Sequence, residues 1–159
     1  MTDLSGYASP YNWESQYVTQ SKKPSRVMFH DLTLEGDGEE MAGVTISEPN
    51  KVELAKRLAD IGIPRLSILG NSPRPSERDI RVAETIASLD LAPKLGSFVK
   101  TQEEIRLTAR IGLNCVSILV WVNDTLLPPD VDGQQIIEKS RRCTTLAKEL
   151  GLHTTFMAM

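Results

Sequence analysis

Apolar residues are spaced along the chain in two ways that alternate regularly. Short runs with strand-like spacing predict five β-strands, and stripes of residues three or four positions apart predict four helices between them. The predicted strands cover 26–34, 65–70, 94–99, 115–122 and 152–159. Two of the predicted helices begin after the caps Ser47 and Ser76, and the other two cover 102–111 and 134–150. This strict alternation predicts an α/β chain of parallel strands joined by right-handed crossovers.

The ends of three predicted helices share one local pattern. Gly62, Gly112 and Gly151 each follow an apolar helical residue and precede the first apolar residue of the next strand. Glycine readily adopts the left-handed backbone conformation that ends a helix. These helix ends are therefore predicted from local chemistry alone.

Two architectures fit the alternation: an open doubly wound sheet, and part of a (β/α)₈ barrel, which typically needs about 250 residues. The sequence has 159 residues and stops in its fifth predicted strand, at Met159, without a following helix. Parallel sheets rarely tolerate such an uncovered face or edge. We therefore expect an incomplete TIM barrel, a half-barrel of five strands and four helices that a partner chain completes.

Composition and charge argue against several classes of protein. The net charge is −3, with 18 basic and 21 acidic residues, so no basic stripe is present for a nucleic acid. No apolar run is long enough to span a bilayer, and the N-terminus lacks the pattern of a signal peptide. We expect no membrane contact and a cytoplasmic location, where Cys115 and Cys143 remain buried thiols.

Residues 1–25 form a separate predicted segment because they show no sustained hydrophobic period. This arm contains all three tyrosines and one of the two tryptophans of the chain. Aromatic side chains supply much contact area, so the arm could dock on its own domain or on a partner. A loosely ordered tail is the other interpretation. The predicted organisation is an N-terminal arm at 1–25 and the N-terminal half of a TIM-barrel catalytic domain at 26–159.

The segment DLTLEGDGEEMAGV at 31–44 resembles the opening motif of the DRE-TIM metallolyase superfamily. That superfamily includes the 2-isopropylmalate synthases, the homocitrate synthases and the hydroxymethylglutaryl-CoA lyases, and its motif runs Asp-Thr-Thr-Leu-Arg-Asp-Gly-Glu-Gln. Weaker similarity continues through 51–63, 100–125 and 147–159. The residues that match the opening motif in order are Asp31, Thr33, Leu34, Asp37, Gly38, Glu39 and the pair Gly43 and Val44.

The resemblance implies a TIM barrel that joins an acyl-CoA to a 2-oxo acid, or cleaves the corresponding bond. A divalent ion such as Mg²⁺, Mn²⁺ or Zn²⁺ would offset the negative charge of the enolate as a Lewis acid. The resemblance assigns Asp31 as the first metal ligand, projecting from the end of the first strand. Strand alternation then predicts that Thr33 shares the inward face, with Thr33 and Asp37 as substrate-binding candidates. Lys100, near the end of the third strand, is a candidate catalytic cation or a solvated lysine of the rim.

The departures from the family pattern limit what this chain can do alone. The catalytic arginine of the family aligns with Glu35, which makes Glu35 the candidate catalytic residue at this position, and an extra Gly36 follows it. The carboxylate usual in the second strand aligns with Ser67. The metal-binding His-x-His pair of the family is absent, and His30 and His153 are single histidines on separate strands. One carboxylate does not hold a catalytic metal, which generally takes about three protein ligands.

Two hypotheses therefore remain open. In the first, the chain is one subunit of a split enzyme, and a second protein supplies the other strands, the histidine pair and a share of the metal site. In the second, the chain is a non-catalytic scaffold or regulatory subunit derived from such an enzyme. The acidic loop containing Glu35, Asp37, Glu39 and Glu40 could bind a hard cation or be merely solvated. It would repel phosphate, which disfavours a flavodoxin-like binding module.

Overall fold

The computed structural model describes residues 26–35, 43–70, 75–122 and 132–159. The N-terminal arm and the acidic loop positions 36–42, including Asp37, lie outside the described residues. The elements within these ranges, in chain order, are β1 (His30–Asp31), α1 (Glu48–Asp60), β2 (Arg65–Leu69), α2 (Glu77–Ala87), β3 (Lys94–Val99), α3 (Gln102–Ile111), β4 (Cys115–Val120), α4 (Gly133–Glu149) and β5 (His153–Ala158).

The five strands form one parallel sheet whose spatial order is β1-β2-β3-β4-β5. This order is the same as the order along the chain, as in a (β/α)₈ barrel, whereas a doubly wound sheet reverses its direction at a switch point. The prediction of an incomplete TIM barrel with five parallel strands and four helices is confirmed. None of the helices in the described ranges is both long enough and apolar enough to cross a bilayer.

The first strand is shorter than the predicted strand 26–34. Only His30 and Asp31 pair with β2. The Asp31 carboxylate accepts hydrogen bonds from the Thr33 backbone N–H at 3.0 Å and from the Thr33 hydroxyl at 3.1 Å. Glu35 N–H then donates to the carbonyl of Leu32 at 3.2 Å. These bonds turn the chain directly after Asp31, so the prediction that Thr33 continues the strand is wrong.

All four helices pack against the same face of the sheet. On β3, Leu95 belongs to the apolar cluster under α1 and α2, and Val99 belongs to the cluster under α3 and α4. Leu95 and Val99 are four residues apart in one strand, so their side chains point to the same face. Cys143 of α4 is buried in the second cluster, and both cysteines are buried free thiols, as predicted.

The opposite face is called the inner face here, because it would face the centre of a closed barrel. It is defined by alternation along the strands and by the pairing of neighbouring strands. The described positions of the inner face are His30, Arg65, Ser67, Lys94, Gly96, Phe98, Cys115, Ser117, Leu119, His153, Thr155 and Met157.

The helix ends match the local chemistry of the sequence. Ser76 caps α2 through a reciprocal pair of bonds with Asp79, and Thr101 caps α3 in the same way with Glu104. Gly112 ends α3 with a φ of 93°, in the left-handed region that glycine adopts without strain. These caps account for the agreement at the predicted start of α2 and at both predicted bounds of α3.

Gly96 is required where β3 approaches β4. A Cβ atom built on Gly96 would lie 2.8 Å from the carbonyl oxygen of Cys115 and would also overlap the Cys115 sulfur. Gly96 pairs with Cys115 in the sheet, so the neighbouring backbone would have to move to accept any larger residue.

We expect the substitution Gly96→Ala to lower the free energy of unfolding by about 1–3 kcal/mol, because added atoms in a packed interior force a backbone shift. Urea unfolding followed by circular dichroism measures this change. Gly133→Ala is the matched control, since a Cβ at Gly133 meets nothing within 4 Å. Equal stability of the two variants would contradict the close approach of β3 to β4.

Candidate functional site

The carboxyl ends of the strands are the edge at which the active sites of TIM barrels lie. Asp31 ends β1, and Lys100 directly follows β3. Glu35 reaches the end of β2, because a Cβ built on Gly70 would lie 3.5 Å from the Glu35 carbonyl oxygen. The structure therefore brings three of the predicted site residues, Asp31, Glu35 and Lys100, to this one edge of the sheet.

The side chain of Asp31 is used locally at this edge. Its two carboxylate oxygens accept the backbone and hydroxyl hydrogen bonds of Thr33. Asp31 pairs with Leu66, a core residue under the helices, whereas His30 pairs with Arg65 on the inner face. Since paired residues of parallel strands point to the same face, the inward position of β1 is His30, and the expected inward projection of Asp31 is wrong. Its role as a metal ligand remains a prediction.

The described residues do not form a metal site by themselves. Within 26–35, 43–70, 75–122 and 132–159, no group of three or more His, Cys, Asp or Glu side chains could hold a metal ion. His30 and His153 lie on β1 and β5, the two outer strands of the described sheet. A catalytic metal needs about three protein ligands, so further ligands would have to come from elsewhere.

Lys100 lines a cavity of about 380 Å³ between β4 and α4. The walls of this cavity are mostly apolar, and Lys139 of α4 also lines it. An apolar cavity with two lysines could hold an anionic group that carries an apolar chain. The predicted catalytic role of Lys100 is not tested by this position. The apolar lining residues are Ile118, Leu119, Val120, Trp121, Ile136 and Cys143.

Arg65 is the central polar residue of the inner face, and the sequence analysis missed it. Its guanidinium donates to the hydroxyl of Ser117 at 3.0 Å and to the carbonyl of Val116 at 3.3 Å, both on β4. It also donates to the hydroxyl of Thr155 on β5. These bonds reach from β2 across β3 to the two strands beyond it. The available signal was the alternation of Arg65 with Ser67, which marks one polar face in an otherwise apolar strand.

The positive charge of the inner face affects both histidines. Burial lowers the pKa of His30, and the charge of Arg65 lowers it further, although Asp31 opposes this shift. The pKa of His153 is also lowered, first by burial and then by Lys94 and Arg65. Burial raises the pKa of the Cys115 thiol, which Arg65 partly offsets. Both histidines are therefore neutral at pH 7 in the folded chain.

The comparisons with known proteins agree with this fold. No protein-family model matches the chain. Homocitrate synthase 1 of Nostoc sp. is 28% identical over 131 residues, which are 80% of this chain and 34% of that protein. The 2-isopropylmalate synthase of Oceanobacillus iheyensis is 29% identical over 133 residues, or 79% of this chain and 25% of that protein.

The chain is homologous to the DRE-TIM metallolyases. Its fold matches the crystal structure of the HMG-CoA lyase of Bacillus subtilis with a TM-score of 0.69 and 18% identity, over 85% of this chain and 47% of that one. The chain therefore spans between a quarter and about a third of the length of these two synthases, and about half of the lyase chain. The resemblance found in segment 31–44 is confirmed at the level of the superfamily.

We expect the folded chain to lose stability as the pH falls from about 7.5 to about 5. A histidine with a lowered pKa resists protonation in the folded state, whereas the unfolded chain binds protons at the ordinary value of 6.5. The unfolded state therefore binds more protons below that value, and the free energy of unfolding falls with pH. Urea unfolding over this range measures the slope.

The variant His30→Gln should flatten the slope, because it removes the half-buried histidine beside Arg65. His153→Gln is the matched control and should flatten it less, since His153 is exposed. A slope that is unchanged in His30→Gln would contradict the assigned environment of His30.

Proposed function

We propose that this chain is one subunit of an enzyme that forms or cleaves a carbon–carbon bond beside a carbonyl group. Its five strands and four helices would be part of a TIM barrel, and a second protein subunit would supply the remaining strands. The observation that carries this proposal is the sequential parallel order of the strands in a chain homologous to synthases. The substrates would be small molecules of the 2-oxo acid and acyl-CoA classes.

Such chemistry places negative charge on the carbonyl oxygen as the bond forms or breaks. A divalent metal, when bound, offsets this charge as a Lewis acid. The described residues do not fit a complete metal site, so we assign most of its ligands to the second subunit and to residues such as Asp37 outside the described ranges. Asp31 is the remaining candidate ligand from this chain, although two of its acceptor positions are occupied by Thr33.

Lys100 and Thr33 are the proposed contributions of this chain to substrate binding at the carboxyl edge. Lys100 directly follows β3, and Thr33 lies two residues after the end of β1. A lysine at this edge would attract an anionic substrate, because its ammonium is a compact positive charge. Glu35 cannot take this role, since a carboxylate repels an anionic 2-oxo acid. If Glu35 does face the reaction centre, the substrate would be uncharged or carry an amine at that point.

A non-catalytic scaffold or regulatory subunit is the second candidate. The position of Glu35 favours it, because Glu35 replaces the arginine of the family and lies against the end of β2. The engagement of Asp31 with Thr33 also favours it, because that carboxylate has a structural role without any metal. The two candidates differ in whether the edge residues of this chain affect turnover.

The variant Lys100→Ala, tested in the purified complex with the second subunit, distinguishes the two candidates. For a catalytic subunit we expect turnover to fall by about 10²-fold, as when one electrostatic contact to the transition state is lost. Release of CoA from an acyl-CoA in the presence of 2-oxo acids measures the rate. Lys148→Ala, at the exposed end of α4, is the matched control.

Glu35→Gln tests the acidic position in the same assay. Unchanged turnover in Glu35→Gln would exclude a part for Glu35 in the reaction. Unchanged turnover in both Glu35→Gln and Lys100→Ala would favour the scaffold. A stable monomer that copurifies with no stoichiometric second subunit would contradict the split enzyme.

A further inference from the structure

The cavity between β4 and α4 extends from the surface to the core beneath the helices. Its volume of about 380 Å³ lies within the range of about 300–1,000 Å³ that is typical of small-molecule sites. At its inner end lie Ile118, which is 1% exposed, and Cys143, which is 2% exposed. At its outer end Gln135 and Lys139 are exposed, and Trp121 is 41% exposed. A small molecule can therefore enter this cavity from solvent.

The inner part of the cavity offers apolar contact from two sides. Ile136, Ser140 and Cys143 are three or four residues apart in α4, so they share one face of that helix. Ile118 and Val120 line the other side, from the helix-covered face of β4. The Ser140 hydroxyl donates to the Ile136 carbonyl at 2.7 Å within the helix, so its hydrogen is already bonded. This part of the cavity suits a hydrocarbon chain.

The polar groups at the outer end are hydrogen-bond donors. Lys100 and Lys139 line the cavity, and neither forms an ion pair with any residue in the described ranges. The side-chain oxygen of Gln135 accepts a hydrogen bond from the Asp132 backbone N–H at 3.4 Å, which leaves its NH₂ group as the free end of the amide. Donors of this kind, two of them cationic, suit an acceptor with negative charge.

The carboxylates beside these lysines are already bonded to other donors. Glu138, the neighbour of Lys139 in α4, accepts hydrogen bonds of 2.7–3.1 Å from two arginines of the same helix. Glu104 accepts the backbone N–H groups of Lys100 and of the residue after it. The positive charge of the two lysines is therefore not paired by this chain's own described side chains.

The charge of Lys139 acts on the wall of the cavity. Burial raises the pKa of the Cys143 thiol, Lys139 opposes this rise, and Glu104 adds to it. An effect of Lys139 on a thiol that lines the same cavity is consistent with an ammonium group at the cavity mouth.

We infer that this cavity binds a short aliphatic carboxylate, with its hydrocarbon chain between β4 and α4 and its carboxylate at the ammonium groups of Lys139 and Lys100. The inference goes beyond the proposed function, because the lining residues belong to this chain and the ligand needs no second subunit. Apolar burial would supply most of the affinity, and the lysines would select a carboxylate over a neutral or cationic head group.

Trp121 reports on the site because it lines the cavity. The variant Trp13→Phe leaves Trp121 as the only tryptophan of the 159-residue chain, and its fluorescence can then be titrated with hexanoate. We expect a saturable change in the purified full chain. The affinity should rise by about tenfold from butanoate to hexanoate, because two more CH₂ groups leave water.

The charge preference is tested with ligands that share the six-carbon chain of hexanoate. Hexylamine should bind at least about tenfold more weakly than hexanoate, because its ammonium would meet two like charges. Lys139→Gln should weaken hexanoate by about twofold to fivefold, as for a partly exposed ion pair, and leave hexanol unchanged. Lys148→Gln, at the exposed end of α4, is the matched control and should leave hexanoate binding intact.

The location is tested by filling the cavity. Ser140→Leu adds apolar volume to the stripe of α4 and should abolish binding of both hexanoate and hexanol, with circular dichroism as the check of folding. Lys139 is exposed, so Lys139→Gln should fold normally and keeps the test decisive if Ser140→Leu does not fold.

Three outcomes would overturn the inference. Trp121 fluorescence that responds to none of these ligands would refute the cavity as a binding site. Equal affinity for hexanoate and hexylamine would refute the carboxylate as the preferred head group. Hexanoate binding that is unchanged in Lys139→Gln would refute the assigned position of the carboxylate.

Discussion

A parallel sheet needs cover on both of its faces, and the rest of this structure depends on that constraint. In the described ranges all four helices cover one face, with Leu95 and Val99 marking the two apolar clusters beneath them. The inner face carries charged and hydroxyl-bearing side chains instead, including Arg65, Ser117 and Thr155. Closing such a sheet into a barrel covers this second face with side chains from other strands.

Local chemistry was enough to predict most of the elements. The strand 94–99 and the helix 102–111 have the predicted bounds, because Thr101 and Gly112 define the helix ends within a few residues. The first strand could not be predicted in the same way. Its end is set by the bonds between Asp31 and Thr33, which compete with continued strand pairing.

The candidate site was less predictable because it depends on contacts between distant segments. The face of the sheet to which Asp31 points is set by its pairing with Leu66, 35 residues further along the chain. A motif match does not reveal this pairing register, so it could not predict the face. Arg65 bonds to Thr155 at a sequence separation of 90 residues, so no local pattern predicts that contact. The sequence placed Glu35 and Lys100 at the carboxyl edge because strand ends alone define that edge.

The hydrogen bonds of Arg65 also bear on the shape of the sheet. One side chain links β2 to β4 and β5 across the inner face. Such a link shortens the distance between strands that a flat sheet would hold further apart. Arg65 therefore favours a particular radius of curvature, and that radius fixes how many strands a closed ring can contain.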